Sequence, residues 1–240
     1  MDARRMPVGF TLIELLVVVS VIAILLAILV PSLGAAKRSA QRARCLANLH
    51  GLELAQQMYA GAQDGALISP GDGSYGVQGS WIGMLQGYTG APLIRRCPSD
   101  QSPYFTTADT DLSPAVYRVT SYGINNYVTP SHAPLGTVAP TKITQIANWS
   151  AVIQFVELAE TGSYAVADHI HVDDFYFPLI PSSTLNRICG QMPVGRHGGG
   201  LNQWSGVLNY GFLDGHAESL ALKDVYTDPN HNLFNPAVAH

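Results

Sequence analysis

Charged side chains are scarce in this 240-residue sequence: they make up 12% of it, about half the share found in an average soluble domain. The formal net charge is −4, so no nucleic-acid partner is indicated. Cysteine is also rare, and none of Cys45, Cys97 and Cys189 belongs to a C-x-x-C pair, which argues against a zinc knuckle or a thioredoxin-type site. No Ser-His-Asp, Cys-His or Gly-rich phosphate-binding signature stands out. The sequence therefore lacks the common marks of an enzyme or a nucleic-acid-binding protein.

One long apolar run is present, from Phe10 to Val30, and Glu14 is its only charged residue. As a helix rising about 1.5 Å per residue, the run would extend roughly 30 Å, enough to cross a bilayer core. A plain membrane anchor, or a secretory signal peptide cleaved near residues 34–36, would have a similar run. The run predicts a membrane segment and leaves these alternatives open.

Glu14 argues against a plain anchor, because an ionised carboxylate in an apolar segment costs several kcal/mol, on the order of 3 or more, unless it is paired. A short leader containing Arg4 and Arg5 precedes the run and ends in Gly9-Phe10. Cleavage between these two residues would give Phe10 a free amine, one helical turn before Glu14. In a bundle of such helices, Glu14 of one copy would meet the Phe10 amine of a neighbour and set the axial register.

Residues 9–14 read GFTLIE, and with the apolar run and Pro31 behind them they resemble the start of type IV pilins and type II secretion pseudopilins. The resemblance implies cleavage after Gly9 by a prepilin peptidase, which also N-methylates Phe10. It further implies assembly, at an inner-membrane platform, with copies of itself and other pilins or pseudopilins. The head would lie outside the cytoplasm, on a single-pass protein of the inner membrane.

The basic residues flanking the run predict the opposite orientation, since the cytoplasmic side of a membrane helix usually carries more of them. Arg4 and Arg5 precede the run, and four basic residues follow it: Lys37, Arg38, Arg42 and Arg44. This rule is a bias, so we follow the family resemblance and place the head outside. The four residues are interpreted equally well as solvated charges or as contacts to lipid headgroups.

We predict an α+β, pilin-like fold with a leader at residues 1–9, a helix at residues 10–62 and a β-rich head at residues 63–240. Within the helix, residues 10–30 form the transmembrane and polymerisation segment, and Pro31 should kink it. An apolar stripe that can dock on the head recurs farther along the helix: Cys45, Leu49, Leu52 and Tyr59. The head is predicted as an antiparallel sheet with long loops. Its strands are expected at residues 116–125, 151–157, 207–214 and 217–222.

Several segments of the helix and of the head resemble a large pseudopilin-like subgroup. The shared positions are Cys45, Asn48, Leu49, Tyr59, Asp64 and Gly65, then Cys97, Pro98, Ser99 and Asp100, then residues 121–125 with Tyr122 and Asn125. The subgroup also carries a C-terminal His followed about nine residues later by Asp-Gly. Here sixteen residues separate His197 from Asp214-Gly215-His216, which implies an insertion of about seven residues and leaves the strand pairing open. The Asp-Gly pair predicts a hairpin turn with a structural role.

Cys45 and Cys97 fall on motif positions of that subgroup, so the resemblance implies a disulfide between them, with Cys189 as the free thiol. Pairing of Cys97 with Cys189 is the alternative. A disulfide fits an oxidising compartment.

Three places have metal-ligand side chains. His169 and His171 stand in a His-x-His-x-Asp pattern that begins a metallo-hydrolase signature, but Asp174 occupies the position of its next His. At the second place, a hairpin end could bring together His197, Asp214 and His216, since residues two apart share one face of a strand.

The third place has oxygen ligands at alternate positions, as the start of a calcium loop does, but no closing acid: Asp228, Asn230 and Asn232. The resemblance to major pseudopilins, which have a calcium site in their C-terminal loops, strengthens the case for calcium binding here. A surface loop or a plain turn is the favoured interpretation at all three places, and no cofactor is expected beyond this calcium alternative.

The sequence thus predicts a non-enzymatic filament subunit. The competing hypothesis is a membrane-anchored extracytoplasmic binding module or metal-dependent hydrolase that uses a pilin-like leader only for export.

Overall fold

The computed structural model describes residues 11–69, 80–88, 95–111 and 115–240. The predicted leader and the Gly9-Phe10 cleavage point lie outside the described residues. The described chain contains one long helix, a five-stranded sheet, a separate two-stranded sheet and several short helices. The described residues up to Ala40 form one compact unit, and those from Gln41 onward form a second.

Helix α1 runs from Leu12 to Ala62 and continues through Pro31 without a break. Its sequence is rich in Leu, Val, Ile and Ala up to Ala36, and then in Ala, Leu, Arg and Gln. All of these form helices readily except the β-branched Val and Ile. The helix ends where Asp64 and Gly65 adopt positive φ angles of 53° and 80°, and the Gly65 N–H donates to the Ala60 carbonyl at 2.8 Å. The helix thus ends at Ala62, the residue predicted from the sequence.

The remaining regular elements follow in chain order: α2 Trp81–Gln86, β1 Tyr122–Asn125, β2 Ile153–Glu157, β3 His169–Ile170, α3 Thr184–Gln191, β4 Val207–Phe212, β5 Ala217–Ala221, α4 Leu222–Val225, β6 Tyr226–Asp228 and β7 His231–Asn232. The main sheet has the order β3-β1-β2-β4-β5, and β6 pairs separately with β7. Neighbouring strands of the main sheet are antiparallel except for β3, which lies parallel to β1. The α+β prediction is confirmed, and the sheet is mixed at its β3 edge.

The part of α1 from Gln41 onward covers one face of the sheet. Cys45, Leu49 and Leu52 of the predicted stripe are fully buried against Ile124 and Phe155, while Tyr59 is only partly buried. The stripe therefore docks on the head as predicted. Burying one such Leu side chain contributes about 1.5–3 kcal/mol.

The opposite face carries a second apolar cluster. Side chains of β4 that alternate with those facing α1 pack there, as a half-buried strand with period two requires. The β4 side chains are Leu208, Tyr210 and Phe212. They pack against residues of α3, of α4 and of the segments that follow these helices: Ile188, Met192, Leu222, Val225 and Phe234. The sheet is thus covered on both faces.

One strand was predicted too long. Residues 116–125 were expected to be extended throughout, but β1 begins at Tyr122, and Val116 makes only an isolated bridge to Asp109. The intervening segment turns buried polar side chains inward, among them Arg118 and Thr120. Because these side chains bond to backbone carbonyls elsewhere in the head, the chain leaves the strand path.

Candidate functional site

The described part of the predicted assembly segment begins at Thr11, which caps α1. The Thr11 N–H and hydroxyl both donate to Glu14 Oε2, at 2.9 and 2.7 Å, and the Glu14 N–H donates to Thr11 Oγ1 at 3.3 Å. This reciprocal arrangement is a capping box, and an acid in the first turn also suits the helix dipole. Glu14 is therefore held at the start of the helix. Its predicted partner, the Phe10 amine, lies outside the described residues, as does Gly9.

The side chains from Leu12 to Leu33 are all exposed, although most of them are large and apolar. An 18-residue window of α1 has a mean hydropathy of 3.2 with none of it buried within the protein. By length and composition the helix can cross a membrane. So large an apolar surface requires either lipid or other protein around it.

Behind this segment, Lys37, Arg38 and Arg44 are exposed and Arg42 is half-buried. Arg42 Nε donates to Ser219 Oγ at 2.9 Å, and Asn209 Nδ2 donates to the Arg42 carbonyl at 3.2 Å. Arg42 therefore helps to join α1 to β4 and β5, whereas the other three remain available to solvent or headgroups.

The disulfide between Cys45 and Cys97 is present, so that prediction is confirmed and pairing of Cys97 with Cys189 is wrong. It closes a 52-residue separation and attaches α1 to the loop before β1. Gln41 Nε2 donates to the Pro98 carbonyl at 3.2 Å on the same loop. Burial raises the pKa of the free thiol of Cys189.

Asp100 forms an ion pair with Arg118 that is closed to solvent. Asp100 Oδ2 lies 2.7 Å from the Arg118 guanidinium, and the two side chains are 0% and 1% exposed. Arg118 also donates to the carbonyls of Leu158, Ala159 and Ala165. Burial lowers the pKa of Arg118 to about 10, so the guanidinium stays charged at neutral pH and needs its carboxylate partner.

His197 lies beside the disulfide rather than at the hairpin turn. Its Nε2 is 2.9 Å from the Glu157 carboxylate and 3.9 Å from Cys97 Sγ. Arg196 reaches Glu157 at 3.6 Å and Glu160 at 3.1 Å. This cluster, together with Asp100 and Arg118, joins the end of β2 to the loop after α3.

Tyr122 and Asn125, at the two ends of β1, are fully buried. The Tyr122 hydroxyl accepts from Asn48 Nδ2 of α1 at 3.0 Å, whereas Asn125 Nδ2 donates to the carbonyls of Ile153 and Phe234 at 2.8 and 2.6 Å. Both side chains satisfy buried polar groups and so connect β1 to its surroundings.

Asp214, Gly215 and His216 form the turn between β4 and β5, with Gly215 at a φ of 101°. Asp214 Oδ1 accepts from the His216 N–H at 3.1 Å and lies 2.5 Å from its Nδ1. The backbone N–H of His197 donates to Val207 at the other end of β4. His197 therefore does not meet Asp214 and His216, because the length of β4 separates them, and the prediction that they converge is wrong.

The side chains predicted to hold calcium are used to shape the β6–β7 turn. Asp228 Oδ1 accepts from the Asn230 N–H at 2.8 Å, and Asn232 Oδ1 accepts from the N–H groups of Phe234 and Asn235 at 3.1 and 2.9 Å. Calcium binding there stays a prediction.

His169 and His171 of the His-x-His pattern are brought together at β3, with 3.0 Å between their Nε2 atoms. Burial and the neighbouring His169 lower the pKa of His171. Asp173 of this stretch accepts from Asn126 Nδ2 at 2.6 Å.

The sequence analysis did not single out several charged side chains that are buried in the head, among them Glu53, Glu157 and Arg196. Their only sequence signal is a single charge in an otherwise apolar or Gly-rich stretch. Glu53 on α1 is fully buried, and neither carboxylate oxygen has a hydrogen-bond partner among the described residues. Burial raises the pKa of Glu53 well above its ordinary value, which favours the neutral form of its carboxyl group in the folded protein.

Comparison with known protein families gives a match in the N-terminal segment. Residues 9–30 match the family model described as the prokaryotic N-terminal methylation motif. No curated protein and no solved structure matches the chain. The C-terminal His…Asp-Gly pattern has no part in the match. The methylation motif and the apolar helix that follows it support a relationship of this chain to the type IV pilin and pseudopilin family.

Proposed function

We propose that this chain is the precursor of a filament subunit of the type IV pilus or type II secretion pseudopilus kind. A prepilin peptidase removes residues 1–9 and methylates Phe10, and the mature subunit then assembles through α1. The protein is a structural, non-enzymatic subunit.

The observation that carries the proposal is Glu14 at the start of an exposed apolar helix. A carboxylate in such a segment is costly when it stays unpaired in a membrane and much less so when a cation neutralises it. The terminal amine of Phe10 on a neighbouring copy is that cation. Lipid covers the apolar side chains of residues 12–33 before assembly, and other subunits cover them afterwards.

This assignment sets the partners and the location. The subunit starts as a single-pass protein of the inner membrane with its head outside the cytoplasm, and it joins copies of itself and related pilins at an assembly platform. The disulfide between Cys45 and Cys97 supports an oxidising compartment for the head.

The test is replacement of Glu14 in the native host. In the Glu14→Ala variant, we expect leader removal and membrane insertion to be normal, while filaments in sheared surface material fall at least tenfold by electron microscopy. Thr11→Ala is the matched control, since it removes the hydroxyl that binds Glu14 but keeps the carboxylate. Mass spectrometry of the mature N-terminus reports cleavage and methylation in each strain.

Two results would contradict the proposal. Protein isolated from cells would still carry residues 1–9, or Glu14→Ala would assemble as well as the wild type. The second result, together with full function as a monomer, would favour an anchored module that uses the leader only for export. A bulky residue in place of Gly9 blocks processing under both hypotheses, so it serves only to identify the cleavage point.

A further inference from the structure

Two histidine side chains point their outer ring nitrogens at one another on the edge strand of the sheet. His169 lies on β3, and His171 follows two residues later on the same side of the backbone. Their Nε2 atoms are 3.0 Å apart and their ring centroids 4.7 Å apart. Two like-charged or two unprotonated nitrogens at this distance repel one another, so a proton or a metal ion must lie between them.

Asp168 determines which nitrogen of His169 is free. Asp168 Oδ1 is 2.7 Å from His169 Nδ1, and because a carboxylate only accepts, Nδ1 carries the hydrogen. The lone pair of neutral His169 is therefore on Nε2, facing His171. A carboxylate behind a histidine in this way is the usual arrangement around histidine metal ligands, where it fixes the tautomer and the ring orientation.

The backbone around His171 is held in place as well. Gln191 of α3, which is buried, accepts from the His171 N–H at 2.7 Å and donates to the His171 carbonyl at 3.1 Å. Ile170 between the two histidines is fully buried, and the His132 ring packs on His169 with 4.3 Å between centroids. Because the ligands are preorganised, little conformational entropy is lost on binding.

The spacing and the local charge both suit a cation. Zinc bound by histidine at about 2.0–2.1 Å in a tetrahedron places two nitrogens roughly 3.3 Å apart, close to the observed 3.0 Å. Carboxylates also lie nearby: Asp168 contacts His169 Nδ1, and Asp173 and Asp174 follow His171 within three residues of the chain.

We propose that His169 and His171 bind one divalent transition-metal ion of the zinc class through their Nε2 atoms, with Asp168 as the positioning residue. Water occupies the open coordination positions. Imidazole nitrogens select zinc, copper and nickel over calcium and magnesium.

The test uses the full-length, untagged chain in detergent micelles, titrated with Zn²⁺ against a chromophoric chelator. The wild type should take up one equivalent in a saturable manner, and excess Ca²⁺ should not displace it. We expect His169→Gln and His171→Gln each to weaken binding at least tenfold, and Asp168→Asn to weaken it about 10–100-fold. Electron paramagnetic resonance of the Cu²⁺-loaded chain should show coupling to two nitrogens, which a merely structural role of Asp168 or the histidines would not produce.

Matched controls come from two exposed histidines that also have an aspartate beside them, His216 with Asp214 and His231 with Asp228. His216→Gln and His231→Gln should bind Zn²⁺ like the wild type, and thermal melting checks that every variant is folded. The proposal is overturned if the wild type shows no saturable uptake, if the His169→Gln/His171→Gln double variant keeps it, or if a control variant loses it.

Discussion

A Cβ atom added to Gly211 on β4 would lie 2.5 Å from Oε1 and 3.0 Å from Cγ of Glu53 on α1. Helix and sheet therefore approach each other where β4 lacks a side chain, and the space is filled by a fully buried carboxyl group.

Gly211→Ala should destabilise the head by about 1–3 kcal/mol, because Glu53 has no open space into which to move. Thermal unfolding followed by tryptophan fluorescence measures the change. Gly51→Ala is the control, since an added Cβ there meets nothing within 4 Å and a helix interior favours Ala over Gly. In a double-mutant cycle with Glu53→Ala, the effect of Gly211→Ala should shrink; an unchanged effect would disprove the contact as its cause.

The stability of the head should depend on pH through Glu53. Its raised pKa means that the folded protein keeps a proton that the unfolded chain releases above about pH 4.5. This stabilisation is complete below that pH and is lost as the pH rises through the folded-state pKa. Relative to Glu53→Gln, the wild type should therefore lose up to about 1.4 kcal/mol of unfolding free energy per pH unit above pH 4.5.

Denaturant midpoints of both proteins between pH 5 and pH 8 measure that difference. Glu218→Gln, which removes an exposed carboxylate on β5, should keep the wild-type slope. Parallel curves for the wild type and Glu53→Gln would show that Glu53 ionises freely.

Loss of the disulfide should destabilise the head by about 3–4 kcal/mol, because it closes a loop of 52 residues in the unfolded chain. Cys45→Ser with Cys97→Ser is the variant, and Cys189→Ser is the control that should leave the melting temperature unchanged. Alkylation followed by mass spectrometry should modify only Cys189 before reduction. Modification of Cys45 or Cys97 in the unreduced protein would contradict the pairing.

Asp100→Asn should cost about 3–5 kcal/mol, since it leaves the buried guanidinium of Arg118 without its carboxylate. The matched control is Asp64→Asn, which breaks the exposed pair with Lys142 and should not change stability measurably. Chemical denaturation of both variants gives the comparison. Equal effects would mean that burial does not set the strength of the Asp100 pair.

Much of the architecture could be predicted from local patterns. The end of α1 follows from Asp64-Gly65, the docking stripe from the spacing of Cys45, Leu49 and Leu52, and the β4–β5 turn from Asp214-Gly215. Each of these signals lies within a few residues of the feature that it predicts. The parallel strand β3 was missed because two residues carry no readable periodicity.

The sequence by itself determined the N-terminal segment: an apolar run long enough to span a bilayer, one acid near its start and a glycine before it are all local properties of the chain. Only the tertiary structure decided which distant groups meet in the head. Glu157 and His197 lie beside the disulfide, Glu53 faces Gly211, and Asp168 orients His169 toward His171. The physical reason is that burial and pairing energies depend on neighbours across the sheet, and a linear pattern of residue types does not contain those distances.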